Sequence, residues 1–270
     1  MFIPPITCPA CSRTARPGEE GFQVSNTEIH CACGQTIPDA SVDQRILSTN
    51  IFARLGATAN HVQYGSVAFP VGRSLDVTFS DPFEVVPVPF LTPQAPILVG
   101  TKHVGPKGML VLSSAAGSEK LGDDPVRVSW LAFGLRDVAS LPTWWIIFFG
   151  AVTHAMNGLY KAALLDYAAA FEAFLEQILR QKLKAKFGPE LAEYLLRRAW
   201  RIEERAKDLL ELATGHRLAE RDDVYQPWLR DVKEPRDHLI HGKPLSVSEK
   251  HSEAAHSASF QAIRWTESVA

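Results

Sequence analysis

Cysteine, methionine and long apolar runs are the scarce features of this 270-residue chain, which holds four cysteines and three methionines. The most apolar run, Trp144 to Val152, is nine residues long, well short of the roughly 20 that a bilayer-crossing helix needs. It reads as a buried helix. The opening residues carry no basic flank, and Pro4 and Pro5 break their apolar stretch, so they do not read as a secretory signal; a cytoplasmic location without membrane attachment is expected. Neither sign of charge dominates. Twenty-eight Lys plus Arg against 30 Asp plus Glu leave −2, so no whole-molecule field steers the chain onto nucleic acid or anionic lipid. Any such contact has to be local.

What is abundant points to a folded, divided chain. With 46% apolar and 21% charged residues there is material for a sizeable core, and the length makes two or more units the natural expectation. Charge is spread unevenly: 9 basic and 11 acidic residues lie up to Gly134, and 19 of each follow it. The two halves are built differently.

All four cysteines fall within the first 33 residues, as Cys8-Pro9-Ala10-Cys11, a 19-residue spacer, and Cys31-Ala32-Cys33-Gly34. Two tight pairs of thiolates meet the requirement of a tetrahedral structural zinc site, and in a reducing compartment such clustering favours metal over disulfide. Gly34 supplies the positive φ that lets a backbone turn approach the sulfurs. The segment resembles a zinc ribbon. His30 could replace one ligand, but with four thiolates present it reads rather as a neighbour of the site or a surface residue. With no ligand position left for water, this zinc, one per chain, would hold the fold and do no chemistry.

From Val62 to Gly134 the pattern becomes short period-two stretches: Leu75, Val77 and Phe79; Ile97 to Val99; Met109 to Leu112; Val126, Val128 and Trp130. Turn formers separate them, at Pro70-Val-Gly72, Ser80-Asp-Pro82, Gly105-Pro106 and Gly117, which predicts an antiparallel β-sandwich. Pro87 and Pro89 cannot donate to a ladder, so Phe83-Glu-Val-Val-Pro-Val-Pro-Phe90 belongs at a sheet edge. Val77-Thr-Phe-Ser-Asp-Pro-Phe83, then Pro87, then Val126-Arg-Val-Ser-Trp-Leu-Ala-Phe-Gly134 together resemble H-type lectin and phage receptor-binding sandwiches. That resemblance implies a glycan-binding, scaffold or recognition module.

Helical spacing takes over from Leu141. Leu159, Ala163, Tyr167, Phe171, Phe174, Ile178 and Leu179 recur at threes and fours, predicting a long helix bounded by Asn157-Gly158 and Gly188-Pro189. Further helices are expected over Glu190 to Thr214, about Asp223 to Val232, and from about Ser248 onward, with Ser246 and Glu249 at capping-box spacing. Short loops between them predict an antiparallel bundle. The fold class expected overall is multidomain α+β: a zinc ribbon over 1–45, an antiparallel β-sandwich over 46–137 and a helical bundle over 138–270.

Between the last two helices stands Glu234-Pro-Arg-Asp-His-Leu-Ile-His-Gly-Lys-Pro244. Pro235 suits the first turn of a short helix, and Gly242 with Pro244 stops it, leaving His241 at a helix C-terminus beside open space. Asp237, four residues before His241, shares its face and is expected to orient the imidazole and raise its basicity. Arg236, five residues away, is turned by about 140° on an ideal helix. Arg236 and His241 therefore meet only through a bend at the helix end or across a symmetric dimer.

Arg236-Asp-His-Leu-Ile-His241-Gly242 matches the Arg-x4-His signature of the HEPN superfamily, and resembles most the Apea-like HEPN domains. Ala169-Ala-Phe-Glu-Ala-Phe-Leu-Glu176 in a long early helix and a last helix after the His-Gly agree with that family's layout across about 130 residues. The resemblance implies a metal-independent endoribonuclease, a homodimer acting on RNA, in which His241 moves the proton and Arg236 binds the phosphate. It also implies a toxin-like effector in anti-phage defence or growth arrest, its front modules sensing a phage-derived or glycan trigger. Asp237 stands where asparagine is frequent and adds negative charge near a polyanion. The alternative is a non-catalytic dimeric adaptor that binds protein, glycan or nucleic acid through the ribbon and sandwich.

Other residues carry two readings each. Glu172 and Glu176 either line the same cleft or form salt-bridged surface pairs. Lys182, Lys184, Lys186 and Arg197, Arg198, Arg201, Arg205 either track an RNA backbone or pair with Glu203, Glu204 and Asp208. Trp200 and Trp228 either stack on bases or fill the core. His238 with His241 has no further ligand nearby in sequence to complete a metal site.

Overall fold

The computed structural model describes residues 6–7, 11, 14–15, 22–25, 28–38, 55, 58–93, 97–115 and 125–270. The chain is mixed α+β and divides into two compact units, Met1–Ser140 and Leu141–Ala270. The division falls three residues after the boundary expected at 137. The expected boundary at 45 lies outside the described residues.

Among its described residues the first unit is mostly β, with a short 3-10 turn at Val138–Ser140 near its end. Short strands β1 (Ile6–Thr7) and β2 (Thr14–Ala15) pair with each other, and β3 (Phe22–Ser25), β4 (Glu28–Cys31) and β5 (Thr36–Pro38) form a three-stranded antiparallel sheet. Six longer strands follow: β6 (His61–Phe69), β7 (Ser74–Thr78), β8 (Val88–Pro93), β9 (Ile97–Gly105), β10 (Gly108–Ala115) and β11 (Val126–Gly134). They form two antiparallel sheets ordered β7-β10-β9 and β6-β11-β8. Phe69, Val77, Phe79, Phe83, Leu91, Met109, Val111, Val128 and Trp130 bury one core drawn from both sheets, as a sandwich requires.

Among the described residues the proline-bearing strand β8 is an edge, paired only with β11, as a residue without an N–H dictates. Strand β6, which the alternation did not single out, is the other edge of the same sheet. Central β11 is buried on both faces from Val128 to Gly134, and Phe133 packs edge-on against Phe90 at 5.8 Å. Two glycines allow close approach. A Cβ at Gly134 would sit 2.3 Å from Phe83, and one at Gly108 would sit 2.4 Å from the Val77 carbonyl oxygen.

The second unit is helical: α1 (Thr143–Met156), α2 (Tyr160–Phe187), α3 (Pro189–Arg198), α4 (202–214), α5 (222–240) and α6 (Glu249–Val269). Helix α2 is 28 residues long and packs against α1, α3 and α6. Its Tyr167 and Phe171 meet Phe148 of α1 and Trp228 of α5, at 5.2 and 5.3 Å between ring centroids. Gly158 and Gly188 adopt positive φ at its two ends, and the run Trp144 to Val152 lies within α1, with Phe148, Phe149, Ala151 and Val152 buried. Among the described residues no helix is long and apolar enough to cross a membrane.

Three helical expectations change. The helix expected over 190–214 is broken at 199–201, where Arg201 is extended. Neither glycine nor proline marks the break. Arg205 supports it from a distance: its Nε donates to the Ala199 carbonyl at 2.7 Å and its Nη2 to the Leu196 carbonyl at 3.3 Å, satisfying carbonyls that the end of α3 leaves without partners. The separate helices expected around 223–232 and after Pro235 are one run, α5, carrying a π-helical turn at Leu229–Lys233. A wider turn accommodates a proline that cannot donate to the preceding ladder. Finally, α6 is capped by Ser248 with the His251 side chain, rather than by Ser246 and Glu249.

Candidate functional site

The end of α5 positions the Arg-x4-His residues. The helix stops at Ile240 because Gly242 takes φ +66°. The Gly242 N–H donates to the Leu239 carbonyl at 3.2 Å, and that of Lys243 to the His238 carbonyl at 2.8 Å. This paired closure ends a helix at a left-handed glycine, and it leaves His241 exposed at the turn, outside helical geometry. The bend meets the first of the two conditions expected for convergence. Arg236 and His241 of a single chain line one cleft of about 440 Å³, together with Glu172, Trp200, Arg201, Ile202, Glu203, Arg205, Lys233 and Asp237.

The charges inside are interlocked. Arg236 is gripped from two sides, by Glu172 Oε1 at 3.0 Å through Nη2 and by Asp237 Oδ1 at 3.0 Å through Nη1. Lys233 Nζ lies 2.5 Å from Glu203 Oε1 and 3.1 Å from Asp237 Oδ2. Asp237 therefore spends both oxygens on cations. The expectation that it orients the His241 imidazole is replaced by this arrangement, because Arg236 and Lys233 already occupy both carboxylate oxygens. Among the described residues no hydrogen bond to the His241 ring is present, and the exposed side chain lines the cleft.

Burial and pairing pull the acids apart. Burial pushes the Glu172 carboxyl above its ordinary range, and Arg236 and Arg205 oppose this without cancelling it. For Asp237 burial is again the largest single influence and acts upward. Hydrogen bonds from Arg236 and Lys233 outweigh it, and the carboxyl titrates below its ordinary range. Glu203 behaves like Asp237 through Lys233, while that pairing raises Lys233. One cleft thus holds an acid that keeps its proton more readily and two that lose theirs more readily.

The two-sided readings now separate. Glu172 lines the cleft and is also salt-bridged, whereas Glu176 pairs with Arg180 and Arg205 at 2.9 and 3.1 Å. Of the basic cluster, Arg201 and Arg205 belong to the cleft, and Arg198 instead donates to the Tyr194 hydroxyl at 3.3 Å. Trp228 is buried in the core, but Trp200 is 72% exposed, with the Arg201 guanidinium 5.0 Å above its ring. His238 does not line the cleft, and among the described residues it belongs to no group able to hold a metal. Lys233 was not singled out by sequence reasoning, although its i,i+4 spacing to Asp237 was a signal. Two cleft residues, Arg205 and Lys233, sit in π-helical turns, irregularities frequent at functional sites.

In the first unit, Cys11, Cys31 and Cys33 bring their sulfurs within 4.8 Å of one another, with Cys11 and Cys31 3.5 Å apart. A tetrahedral site with Zn–S near 2.3 Å sets its sulfurs about 3.8 Å apart, so this group could hold a metal ion. The knuckle forms as expected: Gly34 has φ +88° and its N–H donates to the Cys31 carbonyl at 2.8 Å. Cys8, the fourth expected ligand, lies outside the described residues.

No protein-family model matches the chain, and no curated protein matches it. Among solved structures the chain is similar to the C-terminal part of the R2 pyocin fibre of P. aeruginosa and to an N-truncated R2-type pyocin tail fibre. Identity is 18% and the TM-score 0.23 in both cases, over 27% of this chain and 20% or 29% of the fibre.

Proposed function

We propose that the chain is a metal-independent endoribonuclease of HEPN type, acting as a homodimer in a defence or growth-arrest setting, with its N-terminal unit sensing a trigger. The observation that carries this reading is that Arg236 and His241, five positions apart on opposite sides of an ideal helix, line the same open cleft. In this reading a ring nitrogen of His241 removes the proton of an RNA 2′-hydroxyl. The freed oxygen attacks the adjacent phosphorus, and the bond to the 5′-oxygen breaks. That oxygen takes its proton from an imidazolium, His241 of the same chain or of a second copy, leaving a 2′,3′-cyclic phosphate and a 5′-hydroxyl. Arg236 holds the phosphate as charge grows on it. Zinc bound by Cys11, Cys31 and Cys33, with Cys8 as the fourth thiolate, holds the ribbon and takes no part in the reaction.

A second reading, the non-catalytic dimeric adaptor, is favoured by one observation: two carboxylates already pair with Arg236 and compete with a phosphate for it. Mixed single-stranded RNA in excess EDTA separates the two. The parent is expected to cleave, leaving cyclic phosphate ends, and Arg236→Ala and His241→Ala to lose at least about a hundredfold in rate. Equal cleavage by all three proteins would eliminate the catalytic assignment.

A further inference from the structure

Trp200 stands in the extended break between α3 and α4, and it is the most exposed large apolar side chain among the described residues. An indole left in water costs free energy unless something covers it. Its position says what that something is. Trp200 lines the charged cleft of Arg236 and His241, and it also lines a neighbouring cavity of about 380 Å³ formed by Leu195, Arg198, Ala199, Glu204, Asp208, Leu209 and Leu212. The indole borders both a cleft of paired charges and a cavity lined by three leucines with Arg198, Glu204 and Asp208.

We propose that this second cavity is a subsite for an unpaired RNA base, stacked on Trp200 next to the phosphate held in the cleft. The reading rests on the ribonuclease assignment for the occupant of the first compartment. A polyanion with flat aromatic groups at every link is the ligand that uses a cleft bearing guanidinium groups beside a slot with an exposed indole and leucine side chains. Arg201, already packed on the indole at 5.0 Å, adds a cation to the stack. The cavity also sets a preference. Glu204 and Asp208 line it and make no hydrogen bond or ion pair among the described residues, Asp208 sensing Arg217 only as a nearby charge. Carboxylates only accept, so they select bases that present an exocyclic amine, as cytosine and adenine do, over uracil, which offers carbonyl oxygens there.

The test uses the full chain carrying His241→Ala, so that no cleavage intervenes, and fluorescent 2′-O-methyl oligomers of cytidine, adenosine and uridine read by anisotropy. The cytidine and adenosine oligomers are expected to bind several-fold tighter than uridine. Adding Trp200→Ala should weaken the cytidine oligomer about tenfold or more, whereas Trp200→Phe, which keeps a stacking face, should stay within about threefold. Asp208→Asn with Glu204→Gln should bring uridine level with cytidine. Trp200→Ala within twofold of its parent, no binding by the parent, or no base preference would overturn the subsite. Failure of the ribonuclease reading looks different: the unmutated chain would cleave nothing, while Trp200-dependent binding of these oligomers persisted and upheld the subsite.

Discussion

Arg236 is the residue whose partners decide what the cleft can do. Two carboxylates hold it, and they differ: Glu172 is pushed up by burial, Asp237 is held down by Arg236 and Lys233. Acidification therefore neutralises Glu172 first and loosens one side of the grip while the other remains. RNA binding by the His241→Ala chain is expected to tighten as the pH falls below neutral, and Glu172→Gln is expected to bind several-fold tighter at neutral pH and to lose that dependence. A binding curve for Glu172→Gln parallel to the parent's across the range would contradict the argument. The stability signs follow from the same directions. The raised Glu172 keeps its proton in the folded state where the unfolded chain has lost it, so its contribution is present in acid and disappears as pH rises through the folded value. Asp237, Glu203 and Glu176 act oppositely, contributing at neutral pH and failing as pH falls through their lowered values.

At the scale of elements, the break between α3 and α4 exists because one side chain serves three acceptors. Arg205 caps the Ala199 and Leu196 carbonyls and pairs with Glu176. Arg205→Met keeps much of the apolar stem and removes all three contacts. A loss of about 1–3 kcal/mol in urea unfolding is expected, together with weaker oligomer binding through displacement of Trp200. In the sandwich, Gly108 begins the strand β10 that lies between β7 and β9. A side chain there meets backbone rather than a movable rotamer, so Gly108→Ala is expected to cost about 1–3 kcal/mol, measurable by urea denaturation.

At the scale of the whole molecule, two compact units of different class share one chain. Each carries its own candidate chemistry, a thiolate cluster in the first and a charged cleft in the second. Metal analysis of protein purified under reducing conditions is expected to return about one zinc per chain, and Cys31→Ser to lose it. Less than half an equivalent in the parent would refute the ribbon. Chelation is expected to leave the helical circular dichroism at 222 nm unchanged, since none of the cysteines lies in the helical unit.

Some of this was legible before any coordinates. Period-two stretches marked the sandwich strands, prolines marked β8 as an edge, and Gly158, Gly188 and Gly242 marked helix ends, because these signals act between neighbours along the chain. The alternation missed β6 and read only one face of β11, whose other face buries Ser129, Leu131 and Phe133 beyond the exposed Arg127. The helix break at 199–201 and the join through 229–233 left no local mark, since a distant guanidinium and a shifted hydrogen-bond ladder produce them.

The sequence by itself determined that strands come before helices along the chain, the paired thiols and the presence of an arginine and a histidine near a helix stop. Only the tertiary structure decided that Asp237 serves Arg236 and Lys233 instead of His241, that Glu172 reaches in from another helix, and that Trp200 faces water while Trp228 does not. Which charge pairs with which, and which ring is covered, depends on what packing brings within a few ångströms, and residues 60 positions apart reach that distance only after the helices have assembled.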